Sequence, residues 1–288
     1  MAGSMEGKTC LVTGATDGHG KALAHGLAAC GANLVLLGRN REKTLATQQE
    51  IAQANGGKAP EILIADLASG EEVDRAILSY LASGRPLHVL VNNAGLVGLT
   101  RRENKDGLEL TFAVNYLASF RLTLGLLPLL TESAPARIVN ISSDTYRMAR
   151  LDFDDLQLER SYSMMKAYGR SKLAILYFTL ELAKRVEGSG VTVNAVDPGP
   201  VASNIGADNP GLAYRLARPM IRHLFPSAAR AARTALRVAT EPRLETASGG
   251  YYRSGKRREK PLDFDPETSR RLWQTSLELC RIETDRLV

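Results

Sequence analysis

The chain has 288 residues, 44% apolar and 24% charged with 12 prolines, which excludes a disordered or fibrous protein and leaves room for one large α/β domain or two small ones. No apolar run approaches the roughly 20 residues of a membrane span. The leading MAGSMEGK has no apolar signal core, and Cys10, Cys30 and Cys280 are too scattered for a disulfide framework or zinc site, so neither a membrane span nor a metal is expected and a cytoplasmic setting is. The net charge of +6 is local: Gly211–Pro261 carries 12 Lys/Arg against 3 Asp/Glu, leaving −3 elsewhere. A solvated face is favoured over an anion-binding one, and nucleic acid is not expected as a partner, because no helix-turn-helix or aromatic-interleaved basic motif accompanies the charge.

In chain order, KTCLVTG (8–14) is a short apolar run ending in glycine, hence a buried strand, and KALAHGLAACG (21–31) is a helix stopped at Gly31. NLVLLGR (33–39) is a second strand, followed by the polar helix REKTLATQQEIAQAN; EILIADL (61–67) is a third strand, followed by the helix GEEVDRAILSYLAS. LHVLVNNAG (87–95), ARIVNISS (136–143) and VTVNAVDPG (191–199) read as further strands, LTLGLLPLL (122–130) as a buried helix, and 162–187 as a long helix. Apolar strands alternating with helices predict an α/β fold, a doubly wound parallel sheet with helices on both faces. With no low-complexity linker before residue 200, 1–288 is expected to be a single domain. Beyond Pro198-Gly199 come basic helical pieces, then SGGYYRSG (248–255) as a last edge strand. A helical tail, about 262–288, contains SRRLWQTSLELC and is anchored by Trp273.

The first turn, TGATDGHG (13–20), spaces Gly14, Gly18 and Gly20 as G-x-x-x-G-x-G directly after a strand and at the start of a helix. Backbone N–H groups and the positive helix end there suit a dinucleotide phosphate, and glycine permits its close approach. Asp17 is suited to cap the helix, although it also lies near where an adenosine 2′-phosphate would sit. The second strand ends in Gly38 and Arg39, with Arg41 close behind and no acid; a guanidinium fork pairs with phosphate, so NADP(H) is favoured and NAD(H) remains possible.

YGRSK places Tyr168 and Lys172 four apart on one helix face. A tyrosine with its usual pKa near 10 is a poor base, and an adjacent ammonium with an oxidised nicotinamide would favour the phenolate. Ser142 and Ser143 of NISS end the fifth predicted strand, where ligands bind in open α/β sheets and a hydroxyl could bond the reacting oxygen.

The set T-G-x-x-x-G-x-G, NNAG (92–95), Asn115, Ser143, Tyr168-x-x-x-Lys172 and PG (198–199) resembles the short-chain dehydrogenase/reductase family over essentially the whole chain. The resemblance implies a single Rossmann-type domain with Tyr168 as catalytic acid/base, Ser143 polarising the substrate oxygen, Lys172 binding the nicotinamide ribose and depressing the tyrosine pKa, and Asn115 holding a relay water. It implies cofactor contacts from Gly14, Thr16, Asp17, Gly18, His19, Gly20, Arg39, Asp66 (to adenine), Leu67, Asn93, Ala94, Gly95, Tyr168, Lys172, Pro198, Gly199 and Val201, and a homodimer or homotetramer. A helical substrate lid is expected at about 203–247, where leucines, Met220 and Phe225 suggest an apolar substrate and the arginines leave an acidic or phosphorylated carbonyl compound as the alternative. The Ser143–Tyr168 gap, GGYY and RRLWQTSLELC are similar to the retinol-dehydrogenase-like branch, whose members act on retinoids, steroids and other lipophilic alcohols or carbonyls. The membrane anchor of many members is missing, which implies a soluble relative. His19 stands where the family usually has isoleucine or leucine.

The resulting expectation is an NADP(H)-dependent oxidoreductase interconverting an alcohol with a ketone or aldehyde; a non-catalytic NADP(H)-binding sensor is the alternative. His25, His88 and His223 read as packed or surface histidines, and Met164 and Met165 as candidates to line an apolar pocket.

Overall fold

The computed structural model describes residues 4–199, 227–259 and 263–283. Among them, one eight-stranded sheet has the order β3-β2-β1-β4-β5-β6-β7-β8. Its strands are β1 (Thr9–Thr13), β2 (Asn33–Gly38), β3 (Glu61–Ile64), β4 (Val89–Asn92), β5 (Ala136–Ile141), β6 (Val191–Asp197), β7 (Tyr251–Arg253) and β8 (Lys256–Arg257). All pairings are parallel except that of β8, which turns back antiparallel on β7. The predicted last strand is therefore present, but the sheet edge is β8, too short and too polar to read as a strand.

The strand residues are apolar at successive positions because both faces are covered. Cys10 and Val12 enter one core with Leu23 and Leu27 of α1 (Gly18–Ala29), Ile51 of α2 (Arg41–Ala54) and Val238 of α7 (Ala228–Thr240). Leu11, between them, enters the opposite core with Ile77 of α3 (Gly70–Ala82), Phe120 of α5 (Ala118–Glu132), Phe178 of α6 (Met164–Arg185) and Trp273 of α8 (Pro266–Cys280). Trp273 meets the Phe120 ring edge-on at 5.2 Å and anchors α8, as expected. The crossover after β3 brings β4 to the other side of β1, and the chain reverses its winding there, opening a crevice at the strands' carboxyl ends.

Side-chain caps define the helix starts. Asp17, Asn40, Ser69, Ser163 and Asp265 accept from first-turn amides, so α1 begins three residues before the predicted helix. Upstream of α5 lie α4 (Leu110–Phe112) and one π turn (Ala113–Leu117), making Leu110–Glu132 one continuous 23-residue helix. By length and composition it could cross a membrane, which corrects the expectation that no segment reaches that length. Its most apolar window is 72% buried within the fold. Asn115, Thr111 and Ser119 interrupt the apolar pattern and hide the helix's extent in the sequence.

Residues 200–226 lie outside the described residues, and with them the expected cofactor contact Val201 and the first part of the expected lid, including Met220, His223 and Phe225. The described remainder is not a lid: α7 lays Ala232, Ala235 and Val238 against the sheet and Leu236 against Gly26 of α1. Its apolar stripe is core.

Candidate active site

The turn between β1 and α1 is closed by β4. The Thr13 hydroxyl accepts from the N–H groups of Asn93 (2.9 Å) and Ala94 (3.0 Å), and the Asn93 amide donates to the carbonyls of Thr13 (2.8 Å) and Gly14 (3.1 Å). Gly14 has φ +64°, and a Cβ there would stand 2.9 Å from the Ala94 Cα; at Gly20 a Cβ would strike the Asn93 amide and the Gly14 carbonyl. These glycines thus serve the protein's own close approach, not only the phosphate clearance expected. The Asp17 carboxylate accepts from Gly18 N–H at 2.7 Å, so it caps α1. The positive end of α1 follows β1 directly, an arrangement that suits a dinucleotide diphosphate.

His19 follows on α1. It is buried, its Nδ1 lies 2.8 Å from the Asn93 Oδ1, and its Nε2 is buried with no hydrogen-bond partner among the described residues. Burial, with Lys172 adding to it, lowers its pKa from the ordinary value.

Next to this loop, a Cβ at Gly38 would lie 2.6 Å from the Thr44 hydroxyl and 3.3 Å from the Thr16 methyl, so the bare backbone brings Thr16 against the end of β2. Arg39 and Arg41 emerge exposed beside it. Asp66, half-buried after β3, accepts from Ala68 N–H at 2.9 Å, whereas the Leu67 side chain packs into the core. Gly95 lies where a Cβ would be 3.3 Å from Asn115 Oδ1 and 3.7 Å from Lys172 Nζ. Pro198 and Gly199 follow β6, with Gly199 N–H donating to Asp197 at 2.7 Å.

Four predicted catalytic side chains converge at the end of β5. Lys172 is buried, donates from Nζ to the carbonyl of Ile141 at 2.9 Å, and sits 5.4 Å from the centre of the Tyr168 ring. Ser143 caps a short 3-10 turn (Asp144–Met148), and its hydroxyl bonds Tyr168. Ser142 turns the other way and donates to the Lys172 carbonyl at 3.1 Å, so Ser143 is the serine that meets the tyrosine. Asn115 sits in the π turn, a distortion common at functional sites. Its Oδ1 accepts from Leu96 N–H (2.7 Å), and its Nδ2 donates to the Leu96 carbonyl and the Ser171 hydroxyl (both 3.0 Å). Ser171 in turn donates to the Tyr168 carbonyl at 2.8 Å.

Burial pushes the Tyr168 phenol up to about 12 and the Asp197 charge adds to it, while the Ser143 bond pulls it back. Burial lowers Lys172 to about 8, against the raising effect of Asp197. Burial and Asp197 thus keep Tyr168 a neutral phenol at neutral pH, while the depression expected from Lys172 together with an oxidised nicotinamide concerns the loaded site.

A charged cluster behind this site escaped the sequence reading. Asp197 is buried at the end of β6; Arg253 of β7 pairs with it at 3.3 Å and also with Asp144, which accepts from Tyr251 Oη at 2.7 Å. An acid closing an otherwise apolar strand, VTVNAVD, was the available signal. The bland readings hold for two histidines: His88 accepts from Thr9 N–H at 3.0 Å, and His25 lies 3.9 Å from Glu50. Met165 is exposed at the start of α6, and Met164 is half-buried.

Residues 8–210 match the model of the short chain dehydrogenase family, and the chain belongs to that family. It is an oxidoreductase of alcohol and carbonyl groups in a family that uses NAD(P)(H). Within the family it is retinol-dehydrogenase-like: it is 40% identical to mouse retinol dehydrogenase 14 over 289 residues, covering 95% of this chain and 86% of the relative. It is 38% identical to polyprenol dehydrogenase of Danio rerio over 281 residues, covering 95% and 86%. Among solved structures, one from Beutenbergia cavernae, described as an NAD(P)-dependent gluconate 5-dehydrogenase with bound NADP, is similar at TM-score 0.68 and 28% identity, covering 88% of this chain and 97% of that one.

Proposed function

We propose that the protein is an NADP(H)-dependent reductase or dehydrogenase of a lipophilic alcohol–carbonyl pair, with Ser143, Tyr168, Lys172 and Asn115 as its catalytic set. The observation that carries the reading is the meeting of Ser143, Tyr168 and Lys172 at the carboxyl end of β5, beside the glycine turn of α1. A dinucleotide held by the glycine turn of α1 would supply the hydride chemistry at the substrate carbon. Ser143 donates to the reacting oxygen, and Tyr168, a neutral phenol at neutral pH, gives that oxygen its proton in the reducing direction. The Lys172 ammonium stabilises the phenolate left behind, and Asn115 fixes the backbone of the turn and of α6 while holding a relay water.

Arg39 and Arg41 support the NADP(H) preference, as pairing partners for a 2′-phosphate. Leu99, Met148 and Met165 support the substrate class: these exposed apolar side chains follow the NNAG turn, follow Ser143 and precede Tyr168, and the relatives named for retinol and polyprenol take long apolar alcohols. A cytoplasmic location is part of the proposal, with Leu110–Glu132 as a core helix; fractionation of tagged protein tests it. So is a homo-oligomer, and because α8 lies over α6 and the π turn through Trp273 and the Tyr116–Ser276 bond, assembly uses another face. Light scattering measures it.

Turnover of retinoids, steroids and aromatic ketones with NADPH tests the catalytic reading. Tyr168→Phe is expected to keep NADPH affinity within about threefold and to lose at least about a hundredfold in kcat. Retained turnover in that variant would refute the assignment.

A further inference from the structure

His19 carries a contradiction. An apolar side chain would fill its buried position on α1 without cost, yet the sequence places an imidazole there with 8% of its surface exposed. One ring nitrogen is accounted for. Asn93 commits its amide N–H groups to the Thr13 and Gly14 carbonyls, so the oxygen is the atom turned to His19 Nδ1, and Nδ1 must carry the proton. Nε2 is then a lone-pair acceptor, buried and without a partner among the described residues. Leaving such an acceptor unmet costs on the order of 1–3 kcal/mol.

The loop has no slack with which to remedy this. Gly14 and Gly20 are in contact with the β4 turn through surfaces that a single methyl would fill, and Asn93 is held by three hydrogen bonds to Thr13 and Gly14. Among the described residues, Lys172 is the one charged group whose field acts on the ring. That ammonium and burial both keep the ring neutral, hence an acceptor. His19 bonds Asn93, and Gly95, two residues further along the same turn, lies against Asn115 and Lys172 Nζ, so His19 stands on the Lys172–Tyr168 side of the turn.

We propose that His19 is a cofactor-contacting residue, its Nε2 accepting a hydrogen bond from the nicotinamide nucleoside, either a ribose hydroxyl or the carboxamide N–H. The inference rests on the dinucleotide-binding reading of the glycine turn. It makes binding complete a hydrogen-bond set that the folded loop leaves open, so the imidazole acts in holding the cofactor and not in the proton transfer.

Two substitutions separate this from a purely structural role. In His19→Gln the side-chain amide reaches the Nε2 position; in His19→Asn the amide reproduces Nδ1 and its bond to Asn93 but leaves the Nε2 position empty. Fluorescence titration with NADPH, repeated with NADH, is expected to give His19→Gln a Kd within about threefold of the parent and His19→Asn a Kd about tenfold weaker, one buried hydrogen bond. The opposite order, or equal affinity for all three proteins, overturns the proposal. NADPH carrying an acetyl group in place of the carboxamide identifies the donor: loss of the His19→Asn penalty assigns the carboxamide, and its persistence assigns the ribose. In the unsubstituted protein, the histidine 15N spectrum is expected to show the His19 Nε2 resonance moving on addition of NADPH, and an unmoved resonance also overturns the proposal. If the parent binds neither NADPH nor NADH, the dinucleotide reading fails and takes this one with it.

Discussion

Replacing Lys172 by methionine should stabilise the protein at neutral pH while abolishing turnover. The Lys172 ammonium is fully enclosed and receives one carbonyl, that of Ile141 at 2.9 Å. Its pKa falls from 10.5 to about 8, with burial the cause. The sign follows from proton counting: between those values the unfolded chain holds a proton that the folded chain does not, so stability rises with pH through that window and the full cost of the buried charge is present below it. At 1.36 kcal/mol per unit, the cost at pH 7 is about 3 kcal/mol. Methionine fills similar space without charge. It forfeits the bond to Ile141, but that loss does not vary with pH. Denaturant unfolding of both proteins at intervals from pH 7 to pH 9.5 should therefore show the stability advantage of Lys172→Met shrinking by about 2 kcal/mol across the range. A constant difference, or one growing with pH, would mean that Lys172 is not a desolvated cation, and the account of how it stabilises the Tyr168 phenolate would fall with it.

Two further outcomes are expected. Arg39→Asp, which places an acid at the end of β2, should raise the ratio of NADH to NADPH efficiency by at least about tenfold, the size of one lost charge-assisted pair and a new repulsion; steady-state kinetics with both cofactors measures it, and an unchanged ratio would remove Arg39 from cofactor choice. Gly20→Ala drives a methyl into the Asn93 amide and the Gly14 carbonyl, so it should cost about 1–3 kcal/mol of stability together with dinucleotide affinity; thermal melting and NADPH titration read both, and a variant with parental affinity and melting would show that the loop can open.

What the sequence makes legible is what lies within one element. The 13–20 glycine turn, the Tyr168–Lys172 pair one helical turn apart and the apolar strands all declare themselves through local spacing, and the structure places them as that spacing requires. Asn115 is different. Periodicity cannot reveal a π turn, and only the family resemblance pointed to the residue. The helix from Leu110 to Glu132 was half-hidden for the same reason, since the polar groups that serve the site break the apolar pattern that marks a helix. α7, expected within the lid, instead lays its apolar face against the sheet, and no local spacing says which element a helix packs on.

The Asp144–Arg253–Asp197 cluster marks the physical limit. Its members come from the turn after β5 and from β7 and β6, so no local pattern joins them; the sheet order does, by laying β6 between β5 and β7. Yet one of its members, Asp197, acts on the protonation of the residues that were legible, second to their burial. The Asp197 charge raises both Tyr168 and Lys172, favouring the neutral phenol and the charged ammonium together. That combination is the one a reductase needs before proton transfer, a donor that still holds its proton beside a cation able to receive the negative charge it leaves. Local spacing thus identifies which groups take part, while tertiary burial, with the Asp197 charge beside it, shifts the protonation from which they start.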